Sequence, residues 1–234
     1  MQSFLQQTPP WVLAFTVGVV VAFGALALAV AYDALAPKPR ATYDLDGVSV
    51  ELWAGSGRSL ASADVVVAPV SPDLKMETGV AKLVRDATGG MAQAEADRVA
   101  PLAPGEAFLT AGSGGRMGRP VLAVVMDAQK RHRPEWIRAA LRQAFERARA
   151  QDAYSVLIPD MTADLVRQPE TLPESERAEV CRLAARAVVE AIEDSPARVG
   201  LVRIWPGSPE SETIWREELE RRAHAEARLA PAVG

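Results

Sequence analysis

The stretch that decides the fold reads Ala63-Asp64-Val65-Val66-Val67-Ala68-Pro69-Val70-Ser71, followed by Gly79-Val80-Ala81-Lys82-Leu83-Val84-Arg85-Asp86-Ala87-Thr88-Gly89. After Asp64 the run to Ala68 is continuous and apolar, the composition of a strand buried on both faces. In residues 78–88, Val80, Leu83, Val84 and Ala87 fall at helical spacing, and Gly89-Gly90 stops the helix. A doubly buried strand followed by an amphipathic helix is one unit of a layered α/β fold.

The flanking sequence repeats that alternation. Val48, Val50 and Leu52 alternate with Ser49 and Glu51, the two-residue period of a half-buried strand. Phe108-Leu109-Thr110 is a short strand and Val121–Met126 a stronger one. Pro134 opens a helix whose apolar stripe is Ile137, Leu141, Phe145 and Ala148. Tyr154–Ile158 is the next strand, ended by Pro159. Val180, Leu183, Ala184, Val188 and Ile192 mark a long helix, Val199–Trp205 a last strand and 212–223 a last helix. The alternation implies an α/β layer fold with a largely parallel sheet, from six strands near 48–53, 64–68, 107–110, 121–126, 154–158 and 199–204.

Upstream, Trp11–Tyr32 (WVLAFTVGVVVAFGALALAVAY) contains no charged residue. About 20 apolar residues span a bilayer core as a helix, which satisfies its own backbone hydrogen bonds. Ala34-Leu35-Ala36 resembles a cleavage site. Residues 1–10, however, carry no Lys or Arg, the apolar run exceeds a signal-peptide core, and Pro37 follows. An uncleaved single-pass anchor over 11–32 is therefore expected, with the bilayer as partner. Lys38 and Arg40 follow the run and nothing basic precedes it, which places the C-terminal domain in the cytoplasm. The chain divides into a short tail (1–10), the transmembrane helix (11–32), a Pro-containing linker (33–45), an α/β domain (46–223) and a C-terminal tail (224–234).

The chain carries a net charge of −4; residues 1–40 hold Asp33, Lys38 and Arg40, so the remainder stands at −5. That balance argues against a nucleic-acid-coating surface. Cys181 is the single cysteine, which precludes an internal disulfide. His132, His224 and Cys181 show no metal-ligand spacing, so no metal and no cofactor are expected. Neither histidine has a partner at nucleophile-activating spacing, and no catalytic residue is assigned. Gly112–Arg119 is glycine-rich but lacks the Gly-Lys-Ser/Thr ending of a P-loop and precedes a strand, so it reads as a hairpin connection. Lys130-Arg131-His132-Arg133 is a basic cluster at a helix start that could meet anionic headgroups or a phosphate; a solvated loop is the reading taken. Asp160 and Asp164 follow a strand at the sheet edge where α/β proteins bind ligands; functional acids and loop caps are the two readings, and loop capping is the one taken.

From Ala63 onward the order of these pieces resembles the macro domain, the ADP-ribose-binding α/β module. The family opens on a strand of the type V-D-A-I-V-N-A-A-N, then a glycine-rich loop and a helix of the type G-V-x-x-A-I-x-x-A-A-G. The matching text here is Ala63–Ser71 and Gly79–Gly89. A P-x-G-x-A and T-x-G passage is matched by Pro104–Gly112, and the strand S-I-A-F-P-A-I-S-T-G by Ser155–Thr162. The resemblance covers about residues 46–222 and implies a three-layer α/β/α domain with a mixed six-stranded sheet.

The departures fall on the pocket. The family's last Asn, which reaches the ligand ribose and serves its hydrolases, corresponds to Ser71, and the first Asn to Ala68. The first phosphate loop corresponds to Lys75–Gly79 and keeps only Gly79. A diphosphate needs close backbone approach, which glycines permit, and Glu77 would repel it. The second loop becomes Thr162-Ala163-Asp164, with a carboxylate where a glycine stands in the family. Residues 53–60 lack the acidic residue that holds adenine.

The resemblance thus implies ligand contacts from Ser71, Thr78, Gly79, Val80, Thr162 and Trp205. It implies a membrane-anchored, divergent macro-like module for a nucleotide or ADP-ribose-type ligand, without turnover. The alternatives are an interaction platform with a decayed pocket, or an ADP-ribosyl hydrolase, which the loss of Asn at 71 disfavours.

Overall fold

The seven strands of the sheet run in the order β1-β2-β7-β6-β3-β5-β4. The structure is a computed structural model that describes residues 38–53, 63–111, 118–162 and 173–229. In chain order the elements are β1 (Ala41–Leu45), β2 (Val48–Leu52), β3 (Val65–Val70), α1 (Gly79–Ala87), α2 (Met91–Val99), β4 (Ala107–Leu109), β5 (Arg119–Val124), α3 (Pro134–Arg149), β6 (Ser155–Pro159), α4 (Glu174–Glu193), β7 (Leu201–Trp205) and α5 (Pro209–Leu229). The five strands β2, β7, β6, β3 and β5 are mutually parallel, with β1 and β4 antiparallel at the edges.

Side-chain alternation on the central strands builds two cores. On β3, Val65 and Val67 face the same way as Val121 and Ala123 of β5 and pack with Phe145 of α3, Val188 of α4 and Trp215 of α5. Val66, Ala68 and Val70 face the other way, with Leu122 and Val124, against Val80 and Val84 of α1 and Ala92 and Ala96 of α2. Burial on both faces is why β3 reads as an unbroken apolar run rather than an alternating one.

Two expectations need correction, and one helix was not expected. The sheet has seven strands, not six, because β1 occupies the end of the stretch read as a linker. Ala41, Tyr43 and Leu45 alternate with Thr42 and Asp44, and Asp46-Gly47 turns the chain back so that Leu45 pairs with Val48. Both turn residues have positive φ, 50° and 81°, the requirement of a two-residue hairpin turn whose twist matches the strands. The last helix extends past residue 223 to Leu229. Its tail, His224-Ala225-Glu226-Ala227-Arg228-Leu229, continues on good helix formers after the packed apolar stripe has ended. An unforeseen helix, α2, follows the Gly89-Gly90 turn and buries only Ala92 and Ala96, too small a stripe to stand out in the sequence.

The expected anchor at 11–32 lies outside the described residues, and among those described no helix is long and apolar enough to cross a membrane. From Pro39 onward the chain forms one compact unit.

Candidate functional site

Open parallel sheets bind ligands beyond the carboxyl ends of strands whose connections leave toward opposite faces. Here β3 is that strand. The chain leaves it for α1 on one face, whereas its two neighbours, β5 and β6, feed α3 and α4 on the other. The crevices flanking the end of β3 therefore define the candidate site, and Ser71 stands at their centre.

Ser71 is 5% exposed. Its hydroxyl donates to Asp73 Oδ1 at 2.6 Å and accepts from Lys130 Nζ at 3.0 Å. The Ser71 hydroxyl is the main cause holding the Asp73 carboxyl below its ordinary range; partial burial opposes this, and the Lys75 N–H and the Lys130 charge assist it. The loop beyond Ser71 is set by the core. Leu74, at φ 55°, and Met76 are fully buried. The Gln93 amide of α2 clamps the loop backbone, accepting from the Met76 N–H at 2.8 Å and donating to the Leu74 carbonyl at 3.3 Å.

Lys130 belongs to the basic loop that the sequence presents as solvated; the structure turns its ammonium onto Ser71. The loop is organised by Asp127. Asp127 Oδ1 accepts from the N–H groups of Gln129 and Arg131, both at 2.9 Å, and Oδ2 accepts from Arg131 Nε at 2.7 Å. Burial opposes ionisation of Asp127, but these donors outweigh it and its pKa is lowered. Lys130 sits at the tip with φ 61°.

Beyond β6, Asp160 is buried and accepts from three neutral donors. Oδ1 accepts from the Thr162 N–H at 2.8 Å and its hydroxyl at 2.7 Å, and Oδ2 accepts from the Ser211 hydroxyl at 2.5 Å. This carboxylate ties the end of β6 to the first turn of α5, which is the loop-capping role. Cys181 Sγ lies 3.0 Å from Thr162 Oγ1. Cys181 is buried, and burial raises its thiol pKa, only partly offset by the Thr162 hydroxyl.

The expected ligand residues separate on this background. Ser71, Thr162 and Trp205 do lie together, at or just past the ends of the neighbouring strands β3, β6 and β7. Thr78 and Gly79 are at the start of α1, Thr78 exposed with extended backbone and Gly79 at φ 55°. Val80 places its side chain in the α1 core. The Thr162 hydroxyl is engaged by Asp160 and Cys181. Trp205 is 8% exposed, its ring packed in the core on the α1 side, and its carbonyl accepts from the Asp160 N–H at 2.9 Å. Asp164, the glycine-rich 112–117 and most of 53–60 lie outside the described residues. Among the described residues no cluster of His, Cys, Asp or Glu could hold a metal ion.

Along the same sheet edge, where β2 and β7 end, a cavity of about 320 Å³ is lined by Arg40, Trp53, Pro206, Pro209 and Glu212, among others. Its tryptophan is fixed by Glu51, which accepts from Trp53 Nε1 at 2.8 Å and from Arg203 Nε at 3.0 Å. The Arg203 guanidinium stands 5.3 Å from the Trp53 ring centre, a cation–π arrangement.

Comparison with known proteins accords with this architecture. Residues 67–172 match the sequence model of the macro domain family. The Oceanobacillus iheyensis macrodomain with ADP superposes with a TM-score of 0.64 at 16% identity, covering 79% of this chain and 97% of that one. The Trypanosoma brucei macrodomain in complex with ADP-ribose gives 0.55 at 14% identity, covering 72% of this chain and 65% of that one. No curated protein sequence matches the chain. From Pro39 onward this protein has the macro-domain fold, with the family's sequence pattern carried by residues 67–172.

Proposed function

We propose that this protein is a binding module for a nucleotide or ADP-ribose-type ligand, without turnover, held at a membrane by residues 11–32 with the α/β domain on the cytoplasmic side. The observation that carries the binding reading is the cavity at the ends of β2 and β7, on the same sheet edge as Ser71. A fixed indole, two prolines, a guanidinium and a carboxylate suit a flat, hydrogen-bonding ring better than a purely apolar ligand. Absence of turnover rests on Ser71. A serine whose proton is committed to Asp73 lacks the amide that the resemblance assigns to ribose contact.

The test is titration calorimetry of the full chain in detergent with ADP and ADP-ribose, alongside an assay for release of ADP-ribose from a modified protein. Saturable binding with no release is expected. Release above the uncatalysed rate removes the non-catalytic reading. Absence of binding by either ligand leaves the interaction-platform alternative.

A further inference from the structure

We propose that Lys130 is the cation that anchors a phosphoryl group of the ligand, with Ser71 and Asp73 as its positioning residues; the assignment rests on the nucleotide reading above. Three observations lead to it.

The first is placement. Lys130 reaches from the loop after β5 to the end of β3, so its ammonium stands at the crevice beside the strand where the sheet's connections diverge. The second is backbone conformation. At φ 61° Lys130 occupies the left-handed region, which costs energy for every residue but glycine and, less so, Asn or Asp. The surrounding turn enforces it through Asp127, whose carboxylate binds the N–H groups on either side of Lys130. Strained residues of this kind collect where a side chain is used. The third is charge. Among the described residues the Lys130 ammonium donates to a hydroxyl, with the Asp73 carboxylate behind it, and two of its three N–H groups have no acceptor there. By contrast Lys75 pairs with Asp97 and Lys82 with Asp86 at 2.9 and 2.6 Å.

The three groups form a directed chain. Asp73 takes the Ser71 proton, which leaves an oxygen lone pair toward Lys130 and holds the ammonium in place before a ligand arrives. A lysine acts on phosphate as a compact point charge. A held charge can thus replace a cradle of glycine N–H groups where the loop Lys75–Gly79 retains one glycine. The neutral alternative, a sugar diol bridging Asp73 and Lys130, predicts loss of binding when Asp73 is neutralised. The phosphoryl anchor predicts no such loss from Asp73→Asn, whose amide oxygen still accepts the Ser71 proton while a nearby negative charge is removed.

The experiment is calorimetry of the full chain in detergent with three probes: ADP, adenosine and inorganic pyrophosphate. Lys130→Met should weaken ADP and pyrophosphate binding about tenfold, leave adenosine unchanged and flatten the salt dependence of ADP binding. Lys130→Gly relieves the left-handed backbone, so it should fold at least as well as wild type while losing the same affinity. Asp73→Asn should hold or improve ADP affinity. Arg182→Met, an exposed control on α4, should change nothing.

If wild type binds ADP and both Lys130 variants bind it within twofold, the anchor is overturned and the nucleotide reading stands. ADP affinity that depends on Asp73 but not Lys130 establishes the diol alternative. Lys130-dependent pyrophosphate binding without nucleotide binding keeps the anchor and removes the nucleotide reading. Failure of all three probes removes both.

Discussion

Asp64 shows how a single exposed carboxylate can organise the end of a sheet opposite the site. Its Oδ2 accepts from the Tyr154 N–H at 3.0 Å, the Ser155 N–H at 2.8 Å and the Ser155 hydroxyl at 2.9 Å, which joins the start of β3 to the start of β6. Partial burial opposes ionisation, but the Ser155 N–H and hydroxyl, the Tyr154 N–H and the Arg203 charge outweigh it, and the pKa is lowered. A folded-state pKa below the unfolded one stabilises the protein at pH values above the unfolded pKa, about 3.9 for Asp. That stabilisation is lost as pH falls through the folded value. Asp64→Asn is therefore expected to lower stability at pH 7 by about 1 kcal/mol, below the usual value for hydrogen bonds to a charged group because the site is exposed. It should also flatten the fall in Tm on acidification below about pH 4. Thermal unfolding across pH 2.5–7, a range set by about the Asp pKa, measures both; an unchanged acid slope in the variant refutes the assignment.

At the scale of elements, the β1–β2 hairpin depends on Gly47. Its φ of 81° is left-handed, and its N–H donates to Asp44 Oδ1 at 3.0 Å. A Cβ there would meet nothing closer than Arg198 Nη1 at 3.9 Å, an ordinary contact, so the penalty of a side chain lies in the backbone. Gly47→Ala is expected to cost about 1 kcal/mol in urea unfolding, and Gly47→Asn less, because Asn tolerates this region. Equal costs for the two would show that the space, not the dihedral, decides. The same elements explain the position of β1. It is an edge strand tied to the sheet through β2 and, through Tyr43 and Leu45, to the core under α5.

At the scale of the whole molecule, the net charge of the chain after residue 40 and the uncharged run Trp11–Tyr32 set the remaining expectations. A domain at −5 has no electrostatic reason to adhere to anionic lipid, so membrane association should depend on the apolar segment alone. The full chain is expected in the membrane fraction, resistant to carbonate extraction, whereas a fragment starting at Pro39 should leave it. A reporter fused after Gly234 is expected to behave as cytoplasmic. Release of the full chain by carbonate, or an intact N-terminus on a species free of membrane, overturns the anchor.

The layer order was legible in the sequence because it follows from local periodicity. The unbroken Val65–Val67 run requires burial on both faces, and the stripes Ile137–Leu141–Phe145 and Ala184–Val188–Ile192 require helices over a sheet. The first strand was not legible, because Pro37 and Pro39 favour reading 33–45 as a linker, and it is the pairing of Leu45 with Val48 in the structure that shows the hairpin. The candidate site was legible only in part. Ser71 lies where the sequence placed it, since the end of β3 is a local property. The role of Lys130 is not local. Its ammonium meets a hydroxyl 59 residues away in sequence because parallel pairing of β3 with β5 brings the two loops to one edge and Asp127 fixes the turn between them. The engagement of Thr162 by Asp160 and Cys181, and the packing of Trp205 against the α1 core, likewise depend on helices and strands meeting across long sequence separations. The sequence alone determined which segments bury and in what order they alternate; which polar side chains stay open to a ligand was decided by tertiary packing, because a hydrogen-bond partner is chosen by proximity in space.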